Sequence, residues 1–201
     1  MCMDKRFFAI DPECEGTPIP TERIFQKRNC AVTELVIHHS AGTNLRGNTP
    51  EIVAGIFGTE GKKLFYWRDK EKKLQLIETF LLNPFTGGPT WANAQFALYK
   101  PNGKWVLVPL VKYPVSDICW HAGNRYINQI SFGVEICGDY TGQYVEESVL
   151  TAIADVFRPY SEEQKKQGRV FNISGHRDHF VTACPGMIYE QLGTLRKLME
   201  V

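Results

Sequence analysis

Three short apolar runs dominate what this chain can fold into. They are "ELVIHHSAG" from Glu34, "ISFGVEICGDY" from Ile130 and "RVFNISGH" from Arg169. Each breaks into polar residues, histidine or glycine at its C-terminal end, which is how a buried strand reads. Helix-like segments alternate with them. "NTPEIVAGIF" offers Thr49 as N-cap and Pro50 at the first helical position. "VEESVLTAIADVFRPY" places Val149, Leu150, Ile153, Val156 and Phe157 on one helical face. "PGMIYEQLGTLRKLME" spaces Ile188, Leu192, Leu195 and Leu198 along one stripe. Strands alternating with helices predict an α/β fold, a single domain with a central mixed β-sheet flanked by helices.

"AQFALYKPNGKWVLVPL" reads as a hairpin, with Asn102-Gly103 supplying positive φ. "KEKKLQLIETFLL" fits a helix or a hairpin, and residues from about 58 to 89 are taken as an insertion. Residues 1–33 carry Pro12, Pro18 and Pro20 and read as an N-terminal arm packed on a domain spanning 34–201. Nothing in 201 residues resembles an internal repeat.

The net charge of +1 gives no support to nucleic-acid binding or to a polybasic membrane surface. No apolar run approaches the about 18 residues of a membrane-spanning helix. At the N-terminus only "FFAI" is apolar, short of the roughly 7–15 residues of a signal-peptide core, so cytoplasmic synthesis is expected. In that compartment most of the six cysteines should be reduced, with a Cys119–Cys137 pairing left open.

The five histidines fall in three stretches: His38 with His39, His121 alone, and His176 with His179. All sit at predicted strand ends or in the loops that follow, where ligands gather in α/β sheets. His176 and Cys184 flank a seven-residue loop, and imidazole and thiolate are preferred zinc ligands. A third ligand from "IHHS" would leave an open position, the pattern of a catalytic zinc. On spacing alone, a polar loop with a buried free cysteine explains the motif as well. His38 and His39 face opposite sides of a strand, and alternation does not choose between them. Glu135 shares a strand face with Gly133 and Cys137, opposite Phe132, Val134 and Ile136. A mid-strand carboxylate is costly unless paired or functional, so it is either a general base or a partner for a cation such as Arg177.

Taken in order, "LVIHHSAGT", "NAQFALYKPNGKWVLVPL", "ICWHAGN", "ISFGVEICGDY" and "SGHRDHFVTACPG" resemble the type 2 N-acetylmuramoyl-L-alanine amidases. That superfamily includes phage endolysins, bacterial muropeptide amidases and animal peptidoglycan-recognition proteins. The resemblance covers residues 34–198, with 58–89 unmatched. It implies a Zn2+-dependent hydrolase that cuts the amide between N-acetylmuramic acid and L-alanine in peptidoglycan or muropeptides. It implies His38, His176 and Cys184 as zinc ligands and Glu135 as general base. Trp120 and His121 are then expected to line the substrate cleft, with His39 and Asn124 beside them.

Thr182 stands where some relatives carry a catalytic lysine; its hydroxyl can donate to an oxyanion but brings no charge. The tyrosine that phage-type relatives place on the hairpin strand is replaced by "AQF", which leaves Glu135 as the stronger candidate base. His179 is read as a loop or supporting residue. The expectation is a monomeric bacteriolytic enzyme of the endolysin type acting on the cell wall, with no nucleic-acid partner and no membrane insertion. A cytosolic recycling amidase and a non-catalytic peptidoglycan-binding module are the alternatives.

Overall fold

The computed structural model describes residues 18–19, 27–41, 61–68, 74–81, 94–99, 105–109 and 114–201. The helix expected at Thr49 and Pro50 and the Asn102-Gly103 turn lie outside them. The strands are β1 (Pro18–Ile19), β2 (Glu34–His39), β3 (Gly61–Arg68), β4 (Leu74–Leu81), β5 (Phe96–Tyr99), β6 (Val106–Pro109), β7 (Ser131–Ile136) and β8 (Asn172–Gly175). The helices are α1 (Arg125–Ile130), α2 (Glu147–Lys166) and α3 (Ile188–Met199).

The central sheet has the order β6-β5-β7-β2-β8. β5, β7, β2 and β8 run parallel, and β6 closes one edge as the antiparallel arm of the expected hairpin. A mixed sheet flanked by helices is therefore the fold, as the alternation of elements predicts. Of the two readings for "KEKKLQLIETFLL", the strand is the one found: β4 pairs antiparallel with β3, and β1 joins them in a separate three-stranded sheet.

Alternation along β2 and β7 sorts side chains onto two faces. Leu35, Ile37, Phe132, Val134 and Ile136 enter the main core, where they meet Val149, Leu150, Ile153 and Phe157 of α2 and Ile188, Leu192 and Leu195 of α3. An aromatic cluster fills the centre: Phe157 meets Phe96 edge-on at 5.1 Å, and Tyr160 meets Phe132 edge-on at 5.1 Å. Such pairs add about 0.5–1.5 kcal/mol each beyond their burial. The opposite face carries a smaller cluster of Val36, Ala122 and Ile127, with Ile130 packed against it.

Two elements depart from the sequence reading. α1 precedes β7 directly; Asn124 caps it, its side chain accepting from the backbone N–H groups of Tyr126 and Ile127. Six residues are too few for a helical period to stand out. α2 runs through Pro159 to Lys166, past the last residue of the "VEESVLTAIADVFRPY" segment. Proline forfeits one backbone bond, but Pro159 is exposed, and buried Tyr160, Ser161 and Gln164 keep the next turn packed. No described helix is long and apolar enough to cross a membrane.

Candidate metal centre and active site

The parallel register brings the chemistry together. His38 lies directly opposite Glu135 across the β2–β7 pair, so both side chains leave the sheet on the face away from α2 and α3. β8 ends at Gly175, and a 3-10 turn, His176–Asp178, begins there, bringing the next ligand candidate to the same sheet edge. Cys184 returns on the loop that follows. That loop is held by backbone and side chain alike: the Arg177 N–H donates to the Cys184 carbonyl at 3.0 Å, and Arg177 Nη2 donates to Ala183 O and Gly186 O at 2.8 and 3.1 Å. Gly175 N donates to Asp178 Oδ2 at 2.9 Å, and Tyr189 OH donates to Asp178 Oδ1 at 2.6 Å.

One ligand atom each from His38, His176 and Cys184 can be chosen so that all three lie within 4.8 Å of one another. His38 Nδ1 is 3.8 Å from Cys184 Sγ and 4.0 Å from Glu135 Oε1. Tetrahedral zinc with ligands at about 2.0–2.3 Å would space nitrogen and sulfur by about 3.6 Å. His176 Nε2 and Glu135 Oε2 are buried and have no hydrogen-bond partner among the described residues. Two orphaned acceptors beside a thiol are what a cation would satisfy. The donor set of two imidazoles and one thiolate fits a zinc ion with an open position.

The protonation states point the same way. Burial alone pushes Glu135 from 4.5 up to about 8. Burial also pushes the Cys184 thiol up to about 12, against the opposing hydrogen bond from the His39 backbone. Burial, and then His121, hold His38 well below the usual histidine range. Without a cation the site is thus neutral; a bound cation favours thiolate and carboxylate.

The remaining predicted residues take different places. His39 turns to the main-core face, where its Nδ1 accepts from Tyr140 N–H at 3.1 Å while its backbone N–H donates to Cys184 Sγ at 3.4 Å. His121 is 5% exposed: Nδ1 pairs with His38 Nε2 and Nε2 with Ser131 Oγ, both at 3.1 Å. Asn124 uses its side chain as the α1 cap. Trp120 is exposed. Thr182 Oγ1 accepts from Cys184 N–H at 3.2 Å, two residues from the thiol. His179 Nε2 sits 2.8 Å from Glu34 Oε1 and 2.9 Å from Ser174 Oγ, well tied and away from the ligand cluster. Arg177 does not neutralise Glu135; it bonds loop carbonyls and lies 4.6 Å over the Tyr189 ring. Cys119 and Cys137 are buried and free.

Ser131 and Asn128 went unnoticed in the sequence, and Gly133 was read only as sharing a strand face with Glu135. Ser131 is fully buried, and Asn128 Oδ1 accepts from the N–H groups of His121 and Ala122. The available signal was a serine opening an otherwise apolar strand, which needs a partner if buried.

The fold is shared with solved structures at low sequence identity. An endolysin from a Thermus scotoductus bacteriophage aligns with a TM-score of 0.52 and 15% identity, over 89% of this chain and 92% of that one. The amidase LysC from Clostridium intestinale aligns with a TM-score of 0.52 and 16% identity, over 91% and 97%. A human peptidoglycan recognition protein, PGRP-IBETAC, solved with glycosamyl muramyl pentapeptide, gives 0.54 and 16%, over 87% and 90%. No curated protein matches the sequence. By fold, then, this is an α/β domain similar to those of an amidase-type endolysin and a peptidoglycan recognition protein. Residues 91–187 match the N-acetylmuramoyl-L-alanine amidase family, a segment that contains Glu135, His176 and Cys184. The resemblance to the type 2 amidases read from the motifs is borne out.

Proposed function

We propose that this chain is a zinc-dependent N-acetylmuramoyl-L-alanine amidase, with His38, His176 and Cys184 as ligands and Glu135 as general base. The observation that carries the reading is the convergence of three ligand atoms within 4.8 Å beside a buried carboxylate oxygen with no hydrogen-bond partner among the described residues. A recognition module that only binds peptidoglycan has no need of that carboxylate. The domain is read as residues 34–201, with 1–33 as an arm and 58–89 as an insertion. The Thermus phage endolysin and the Clostridium amidase among the similar folds are in line with an endolysin role on the cell wall.

When bound, zinc supplies a Lewis acid that lowers the pKa of water and polarises a carbonyl oxygen. Glu135 then takes a proton from the attacking water at Oε2, the oxygen that has no hydrogen-bond partner among the described residues. The water oxygen bonds the lactyl carbonyl carbon, the C–N bond breaks, and Glu135 returns the proton to the departing alanine nitrogen. Thr182 Oγ1 already accepts from Cys184 N–H, which leaves its own hydrogen to donate to the developing oxyanion. Exposed Trp120 is suited to hold the apolar face of a sugar or stem peptide at the rim.

The test is Glu135→Gln. It should abolish turnover of purified sacculi while one zinc per chain is retained. Full activity in that variant would remove the base assignment, and absence of zinc from the wild type would remove the metal.

A further inference from the structure

Buried hydrogen bonds behind the ligand cluster run in one direction only. Ser131 Oγ lies 2.5 Å from the Ile127 carbonyl, which can only accept, so the hydroxyl hydrogen is committed there. Ser131 Oγ must then accept from His121 Nε2, 3.1 Å away. For a neutral imidazole, a proton on Nε2 leaves His121 Nδ1 as an acceptor. His38 Nε2, 3.1 Å from that Nδ1, must therefore be the donor. What remains on His38 is an unprotonated Nδ1, the atom 3.8 Å from Cys184 Sγ.

We propose that Ser131 and His121 are positioning residues: the relay Ile127 carbonyl, Ser131, His121, His38 fixes His38 as the Nε2–H tautomer and presents Nδ1 to the metal. The proposal rests on the metal reading above and adds to it which nitrogen binds and what holds it ready. Outer partners of this kind fix a ligand's tautomer and ring orientation. The relay is built into the fold. His121 is pinned at its backbone by Asn128, whose Oδ1 receives the His121 N–H at 3.1 Å. Its ring is seated against Gly133, where a Cβ would come within 2.6 Å of His121 Cγ. Ser131 is the first residue of β7, placed by the end of α1, so the helix carbonyl at Ile127 sets the direction of every bond that follows.

The first test needs no variant. In the full-length, metal-free protein labelled with 15N at histidine, long-range 1H–15N spectra should place the His38 proton on Nε2. On zinc addition the shift should fall on Nδ1. A His38 proton on Nδ1 in the metal-free chain overturns the relay, and so does zinc on Nε2. A wild type that binds no zinc defeats the metal reading instead, while the metal-free tautomer still decides the relay.

The second test uses zinc affinity, measured by competition with a chromophoric chelator. Ser131→Ala and His121→Phe should weaken zinc by about 10- to 100-fold. His121→Gln, whose amide oxygen can still accept from His38, should recover most of that loss. Folded Ser131→Ala and His121→Phe proteins with wild-type zinc affinity would overturn the proposal; equal losses in His121→Gln and His121→Phe would do so too.

Discussion

Gly133→Ala tests how tightly the site is packed. The added Cβ would lie 2.6 Å from His121 Cγ and 2.9 Å from both Cδ2 and Nδ1. Comfortable carbon contacts begin near about 3.5 Å, so the ring must retreat by about 1 Å. It cannot do so freely, because its backbone is bonded to Asn128 and its Nε2 to Ser131. The 3.1 Å bond to His38 already stands near the long end of the usual range, and a further about 1 Å breaks it. Overpacking costs about 1–3 kcal/mol. Leaving the His38 N–H without its partner adds about 1–3 kcal/mol. Urea unfolding of the metal-free protein should therefore show a loss of about 2–6 kcal/mol. Chelator competition should show zinc bound about 10- to 100-fold more weakly. Adding His121→Ala to Gly133→Ala should relieve the clash, so the two stability losses should not sum. Stability within about 0.5 kcal/mol of wild type, together with unchanged zinc affinity, would refute the packing argument.

Phe157→Ala removes a fully buried ring that meets both Phe96 and Phe132, and should cost about 3–5 kcal/mol in chemical denaturation. Asn124→Ala deletes the α1 cap and should cost about 1 kcal/mol by the same assay, far less than a residue central to the core. Glu135 also predicts a pH effect in the metal-free chain. Its folded pKa of about 8 lies above the ordinary 4.5, so the folded state holds the proton more tightly than the unfolded one. That contribution is whole below about pH 4.5 and is lost as pH rises toward about 8. His38, held low by burial, acts at the acid side instead and is common to both proteins. Thermal melts from pH 5 to 8 should therefore fall more steeply for the metal-free wild type than for Glu135→Gln; parallel curves would contradict the burial of this carboxyl.

Much of the sheet was legible because its strands are short, apolar and capped by polar residues. β2, β7 and β8 all emerge where "ELVIHH", "SFGVEI" and "NISG" suggest. The helical stripes of α2 and α3 were equally plain, since long period-3.6 segments carry their own signal. What the chain could not reveal locally was register. Only the pairing of His38 with Glu135 across parallel strands, 97 positions apart by their numbers, puts ligand and carboxyl on one face. Alternation within β2 left His38 and His39 equivalent; the neighbouring strand distinguishes them. The same limit explains His121, whose ring is found against that of His38. Its segment, "ICWHAGN", carries no clear period, and nothing local tells that the ring folds back over Gly133. Short α1 escaped notice for want of a period, yet it delivers the carbonyl to which Ser131 is bonded.

The most direct test of the proposed chemistry is the product. Purified sacculi, digested with the zinc-loaded full-length chain and analysed by mass spectrometry, should release free stem peptides with an L-alanine amino terminus and leave intact lactyl carboxyls on the glycan. Chelation should stop the release, and zinc should restore it. Products that keep the lactyl–alanine amide while losing an acetyl group or an inner peptide bond would contradict the amidase reading, as would tight binding to sacculi with no cleavage at all.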